Sequence, residues 1–100
     1  MTGGAGDLKD GAVTREFPIV NQRGLHARAS AKFVQTVGGY NAEVTVEKDG
    51  NKVGGTSIMG LMMLAASPGC RIRVTATGRD AAAVMDALAE LIESRFGEEI

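Results

Sequence analysis

The chain contains one histidine in 100 residues, and its neighbours make it a candidate nucleophile. His26 stands in Gly24-Leu25-His26-Ala27-Arg28, where a loop over residues 21–25 gives way to a run with helical spacing. An ordinary imidazole titrates near neutrality and offers an unprotonated, nucleophilic nitrogen at pH 7. The first backbone N–H groups of a helix lack intrahelical partners and carry partial positive charge. A phosphoryl group on that ring would therefore be held by direct hydrogen bonds and by the helix dipole. Arg28 adds a planar fork of donors that lysine could not reproduce, and Gly24 permits close backbone approach. Phosphoryl transfer needs chiefly positioning and charge stabilisation, and a nitrogen-bound phosphoryl group is labile enough to be passed on. Taken by itself, a lone histidine at a helix start reads first as a cap or surface residue. Arg23 reads as a solvated loop arginine ranking below Arg28, and Ser30 as a solvated or back-bonded residue with no role.

The second chemically suggestive feature is Ser57, a natural helix N-cap followed by Ile58, Met59, Gly60, Leu61 and Met62. Residues 58–66 contain no charge, although a helix lying on a small sheet can bury only one side. Leu61, Leu64 and Ala65 share the face expected to be buried. Ile58, Met59 and Met62 lie towards another, available as an adaptable docking patch, unless the methionines fill gaps in the core. A phosphate on Ser57 would set negative charge beside that patch and block a partner without unfolding the domain.

The elements that must position these residues follow from periodicity. Residues 13–20 are β-prone, with Phe17 and Ile19 on one face. Phe33, Val34 and Val37 mark a first helix that stops at Gly38 and Gly39. Ala42, Val44 and Val46 alternate with polar residues in a second strand. Asp49-Gly50 is a hairpin turn leading to a short third strand at Lys52 and Val53. A helix is predicted from Ser57 to about Ala66, closed by Pro68-Gly69, before a fourth strand marked by Ile72, Val74 and Ala76. Asp80 is the predicted N-cap of a last helix whose buried stripe contains Ala81, Val84, Met85, Leu88, Leu91 and Ile92. The order β-α-β-β-α-β-α with short connections predicts an α+β fold: a four-stranded antiparallel sheet with three helices on one face.

Composition bounds the function. A chain of this length supports one compact domain, expected over residues 13–100 after a glycine-rich, flexible tail over 1–12. The formal net charge of −1 and the 4% aromatic content argue against nucleic acid as a partner. Cys70 is the only cysteine, so it forms no internal disulfide and reads as a small buried hydrophobe. No apolar run is long enough to cross a bilayer, and no secretion signal opens the chain. A cytoplasmic monomer without cofactor or metal is expected.

The segments at residues 24–28 and 57–62, with the element order, resemble the HPr family, histidine phosphocarriers of the bacterial phosphoenolpyruvate-dependent phosphotransferase system. The resemblance runs from about Val13 to Phe96 and implies an open-faced sandwich. It also implies that His26 takes a phosphoryl group from phosphorylated enzyme I and donates it to an EIIA-type protein, in sugar transport or a nitrogen-related regulatory branch. Arg28 would stabilise the group, and Ser57 would be phosphorylated by an HPr kinase/phosphorylase. The protein would be a covalent carrier rather than an enzyme. Ala29 stands where many members have proline. It adds a backbone donor and alters rigidity at the helix entrance. The alternative from another class is a non-catalytic α+β module that binds a small ligand or RNA. The scattered aromatics Phe17, Phe33, Tyr40 and Phe96 do not form the paired strand platform that RNA binding calls for.

Overall fold

The computed structural model describes residues 12–98; all of the expected 1–12 tail except Ala12 lies outside them. Alternation writes the sheet. Strands β1 (Val13–Pro18), β2 (Glu43–Lys48), β3 (Asn51–Gly54) and β4 (Arg71–Thr77) pair antiparallel in the order β1-β4-β2-β3. Phe17 lies opposite Ile72, and Val46 opposite Val74, so the apolar residues of three strands fall on one face. The other face is polar: Thr14 and Thr75 hydroxyls meet at 3.1 Å, and Arg73 donates to Glu16 at 3.2 Å. Such exposed pairs contribute little stability individually. Asp49 and Gly50 both have positive φ (53° and 84°), as a two-residue hairpin turn of matching twist demands.

Helices α1 (Ala27–Gly38), α2 (Ile58–Met63) and α3 (Ala81–Glu93) cover the apolar face. Phe33 and Val37 of α1, Leu61 of α2, and Val84, Met85, Leu88 and Ile92 of α3 are buried against the sheet side chains. Fully burying residues of this size contributes roughly 1.5–3 kcal/mol each. The architecture is the α+β open-faced sandwich that the sequence predicts.

Four details differ from that prediction. Helix α2 stops at Met63 instead of near Ala66, because Ala65 takes a left-handed conformation (φ 55°) and turns the chain back. That reversal exposes Ala65, expected on the buried face with Leu61 and Leu64, and buries Ala66 in its place. Strand β1 ends at Pro18, although Ile19 still donates to the Cys70 carbonyl (2.8 Å) and accepts from Gly69 (3.1 Å). Asp80 stands at the N-cap of α3 as predicted, its carbonyl accepting from Val84, but its side chain makes no capping bond. Its carboxylate accepts from the Asn41 N–H at 2.7 Å while its own N–H donates to the Asn41 carbonyl at 3.0 Å, tying the start of α3 to the approach to β2. Cys70 is half-buried, with its sulfur 3.5 Å from the Ser67 hydroxyl; that hydrogen bond holds the thiol below its usual pKa.

The tightest backbone crossing lies just before α1. Leu25 donates to the Ala66 carbonyl at 3.0 Å, and Gly24, at φ +64°, passes so close that a Cβ there would sit 2.2 Å from the Ala66 oxygen. No L-residue fits without moving backbone. Gly24→Ala is therefore expected to destabilise the fold by about 2–4 kcal/mol, read as a lowered midpoint in urea unfolding. Gly38→Ala, where a Cβ meets nothing within 4 Å, should leave the midpoint nearly unchanged or raise it.

Candidate functional site

His26 is the N-cap residue of α1. Its carbonyl accepts the first helical bond, from Ser30 at 2.8 Å, while its side chain makes no capping bond. The N–H groups of Ala27, Arg28 and Ala29 therefore open the helix without a side-chain acceptor from this residue, the arrangement that favours an external anion. Ala29 keeps an N–H that proline would lack. The ring makes no hydrogen bond to those donors, and its Nε2 lies against the carboxylate of Glu98. His26 remains 22% exposed, so a partner can reach it.

The loop before the histidine is fixed from several directions. Asn21, fully buried, donates through Nδ2 to the Gly24 carbonyl (2.9 Å) and to Glu98 Oε1 (3.1 Å). Of the two expectations for Ser30, the back-bonded one holds: it is buried and its hydroxyl donates to the Leu25 carbonyl at 3.1 Å. Leu25 is itself buried. The backbone on either side of Leu25 is thus held by side chains from before the loop and from within the helix, which removes freedom that His26 would otherwise have. Burial pushes the Glu98 carboxyl up, but hydrogen bonds from Asn21 and His26, with the electrostatic attraction of His26 and Arg23, outweigh it and hold the group below its usual pKa.

Arg28 stands at the second helical position, exposed, with no ion pair among the described residues. Arg23 is also exposed, in the loop. His26 and Arg28, the pair the sequence singles out, stand at the N-cap and the second position of α1. Sequence reasoning missed Asn21, Ser30 and Glu98. Asn21 carried only the weak signal of a buried-loop amide, and nothing local announced a carboxylate 72 positions from the histidine.

Ser57 lies at the start of α2, the helix whose far end leads to Ala66. Its hydroxyl accepts from the Gly60 N–H at 2.9 Å as the N-cap of α2. Beside it, Ile58 (41% exposed), Met59 (68%) and Met62 (39%) form the apolar surface the sequence anticipates, and Met63 (76%) extends it. Gly60 closes the turn so tightly that a Cβ would stand 3.0 Å from the Ser57 hydroxyl. Among the described residues, no His, Cys, Asp and Glu cluster has metal-binding geometry, and no helix is long and apolar enough to cross a membrane.

The family model described as "PTS HPr component phosphorylation site" matches residues 13–94. Phosphocarrier protein HPr of Neisseria meningitidis is 52% identical over 84 residues, which cover 84% of this chain and 94% of that protein. Phosphocarrier protein NPr of Shewanella violacea is 36% identical over a stretch covering 84% of this chain and 92% of that one. The crystal structure of HPr from Thermoanaerobacter tengcongensis superposes with a TM-score of 0.84 at 44% identity, covering 88% of this chain and 99% of that chain. This chain therefore belongs to the HPr family of phosphotransferase-system phosphocarriers, carrier proteins rather than catalysts.

Proposed function

We propose that His26 accepts a phosphoryl group from the phosphohistidine of enzyme I and passes it to an EIIA-type protein in the cytoplasm. The observation that carries this reading is the placement of His26 at the N-cap of α1 with its ring outside the cap. The N–H groups of Ala27, Arg28 and Ala29 are left to face the transferred group. In each direction a ring nitrogen attacks phosphorus while the P–N bond to the other histidine breaks, and that electron pair returns to the departing ring. Arg28, exposed one residue inside the helix, supplies two parallel donors to the phosphoryl oxygens. Incubation with enzyme I and labelled phosphoenolpyruvate should give an acid-labile label on the wild type and none on His26→Ala. An acid-stable label, or one undiminished in the variant, overturns the assignment. Presenting the labelled protein to EIIA proteins of the sugar and nitrogen-related branches assigns the branch.

The partners dock, in this reading, on Ile58, Met59 and Met62, with Met63 added by its exposure. Methionine is suited to surfaces that must fit more than one protein. Ser57 is the regulatory site, modified by an HPr kinase/phosphorylase. A phosphate on its exposed hydroxyl would put about two negative charges beside an apolar surface that a partner must desolvate. Ser57→Asp keeps an oxygen able to accept from Gly60, so thermal stability should stay within about 0.5 kcal/mol of wild type. The rate of phosphoryl transfer should fall. Equal transfer rates for the two proteins would count against docking beside residue 57.

A further inference from the structure

The carrier reading uses His26, Arg28 and Ser57 and leaves unexplained why a buried amide and a carboxylate meet beneath the histidine ring. After α3 the chain makes a tight turn at Arg95–Gly97 in which Arg95, Phe96 and Gly97 all have positive φ (60°, 55° and 78°). Two of these are residues with a Cβ, a costly arrangement that persists only where surrounding contacts enforce it. Here the contacts are the burial of Phe96 and a 2.6 Å hydrogen bond from Lys32 of α1 to the Phe96 carbonyl. The turn delivers Glu98 to the site. There its two oxygens are divided: Oε1 accepts from Asn21 Nδ2, and Oε2 faces His26 Nε2.

An ionised carboxylate accepts hydrogen bonds and cannot donate one. Nε2 must then carry the ring proton, which leaves the lone pair on Nδ1. We propose, building on the carrier reading, that Glu98, held by Asn21, is a positioning residue for phosphoryl transfer. It fixes His26 in the Nε2–H form, directs attack through Nδ1, and balances the positive charge that the ring acquires.

The electron count requires that balance. When the Nδ1 lone pair forms the new N–P bond, the donor P–N bond breaks and its pair returns to the donor ring. No proton leaves His26, so its ring becomes a phosphorylated imidazolium with Nε2–H facing Glu98. On transfer to the acceptor, the N–P pair returns to Nδ1 and the ring is again neutral. The carboxylate thus stabilises the charged ring without entering the bond changes, the part an aspartate plays behind a catalytic histidine in other folds. Asn21 is suited to holding it. Its amide is wholly buried and anchored on the Gly24 carbonyl, so it cannot swing away with the loop.

The test is Glu98→Gln, which keeps size and removes the charge. In wild-type protein in alkaline buffer, nitrogen-15 spectra of His26 should show a protonated Nε2 whose hydrogen resonates far downfield, and a bare Nδ1. In Glu98→Gln that hydrogen signal should vanish or move upfield, and transfer from enzyme I should slow by about tenfold or more, the effect of losing one charge-assisted hydrogen bond. Glu98→Asp, which retains the carboxylate, should recover part of the rate. A wild-type ring protonated on Nδ1, or a Glu98→Gln transfer rate equal to wild type, overturns the role of Glu98 while leaving His26 as the acceptor. Loss of wild-type labelling would instead overturn the carrier reading, and the spectra would still decide the Glu98 contact.

Discussion

One backbone crossing sets the positions of everything at the working end of the molecule. The Leu25 N–H donates to the Ala66 carbonyl, and Gly24 passes that oxygen at a distance only glycine tolerates. From this point one strand of chain continues into His26 and α1, and the other arrives from α2. The start of the first helix and the end of the second are therefore not independent. Shortening α2 to six residues lets Ala65 reverse the chain and present Ala66 as acceptor. The helix gives up a turn of its own hydrogen bonds, and the loop before His26 gains a fixed point. Asn21 reinforces the same spot by donating to the Gly24 carbonyl.

The exposed apolar surface of α2 follows from the layer count. A single sheet with helices on one side has one interior, and Leu61 and Leu64 fill the share of it that α2 can reach. Helix α2 is only six residues long, so its remaining apolar side chains have no second layer to enter. Ile58, Met59, Met62 and Met63 stay in water at a cost of roughly 25 cal/mol for each Å² of apolar surface. The polar outer face of the sheet, by contrast, carries threonines and ion pairs. The chain thus places its apolar exposure beside Ser57, where a partner that covered it would recover that free energy.

What was legible in the sequence was local. Alternation at Val44 and Val46 and at Ile72, Val74 and Ala76 marked β2 and β4, and the stripe from Ala81 to Ile92 marked α3, because burial on one face imposes a period. The Gly24-Leu25-His26-Ala27-Arg28 segment showed a histidine at a helix entrance for the same reason. The misreadings share a different cause. Ala65 obeyed a good local rule, a helical apolar face, and was overruled by the chain reversal before Ala66; Asp80 keeps its N-cap position, but its carboxylate is drawn off to the Asn41 backbone. Ser30, read as solvated or back-bonded, is back-bonded to the Leu25 carbonyl, and its full burial was not legible because it depends on Leu25 being locked beside it. Glu98 was invisible since it reaches His26 only after α3 has crossed the sheet and Phe96 has found the core.

The histidine consequently sits between opposite polarities. On the helix side stand uncapped N–H groups and the exposed guanidinium of Arg28; on the other, an acceptor that Asn21 holds in place. A carrier must not bind its cargo too well, since every kcal/mol that stabilises the phosphorylated form alone is a barrier to giving the group away. Solvent bears on this balance. Arg28 lies in water, where its attraction for phosphate is screened to a modest value. Glu98 lies where screening is weaker, at 11% exposure, but it acts on the ring rather than on the phosphoryl group. By keeping Nε2 protonated, it lets the ring leave phosphorus as a neutral imidazole rather than as an anion. The stronger interaction thus favours arrival and keeps a neutral leaving group for departure, while the interaction that would trap the phosphoryl group itself is left to the solvent-weakened side.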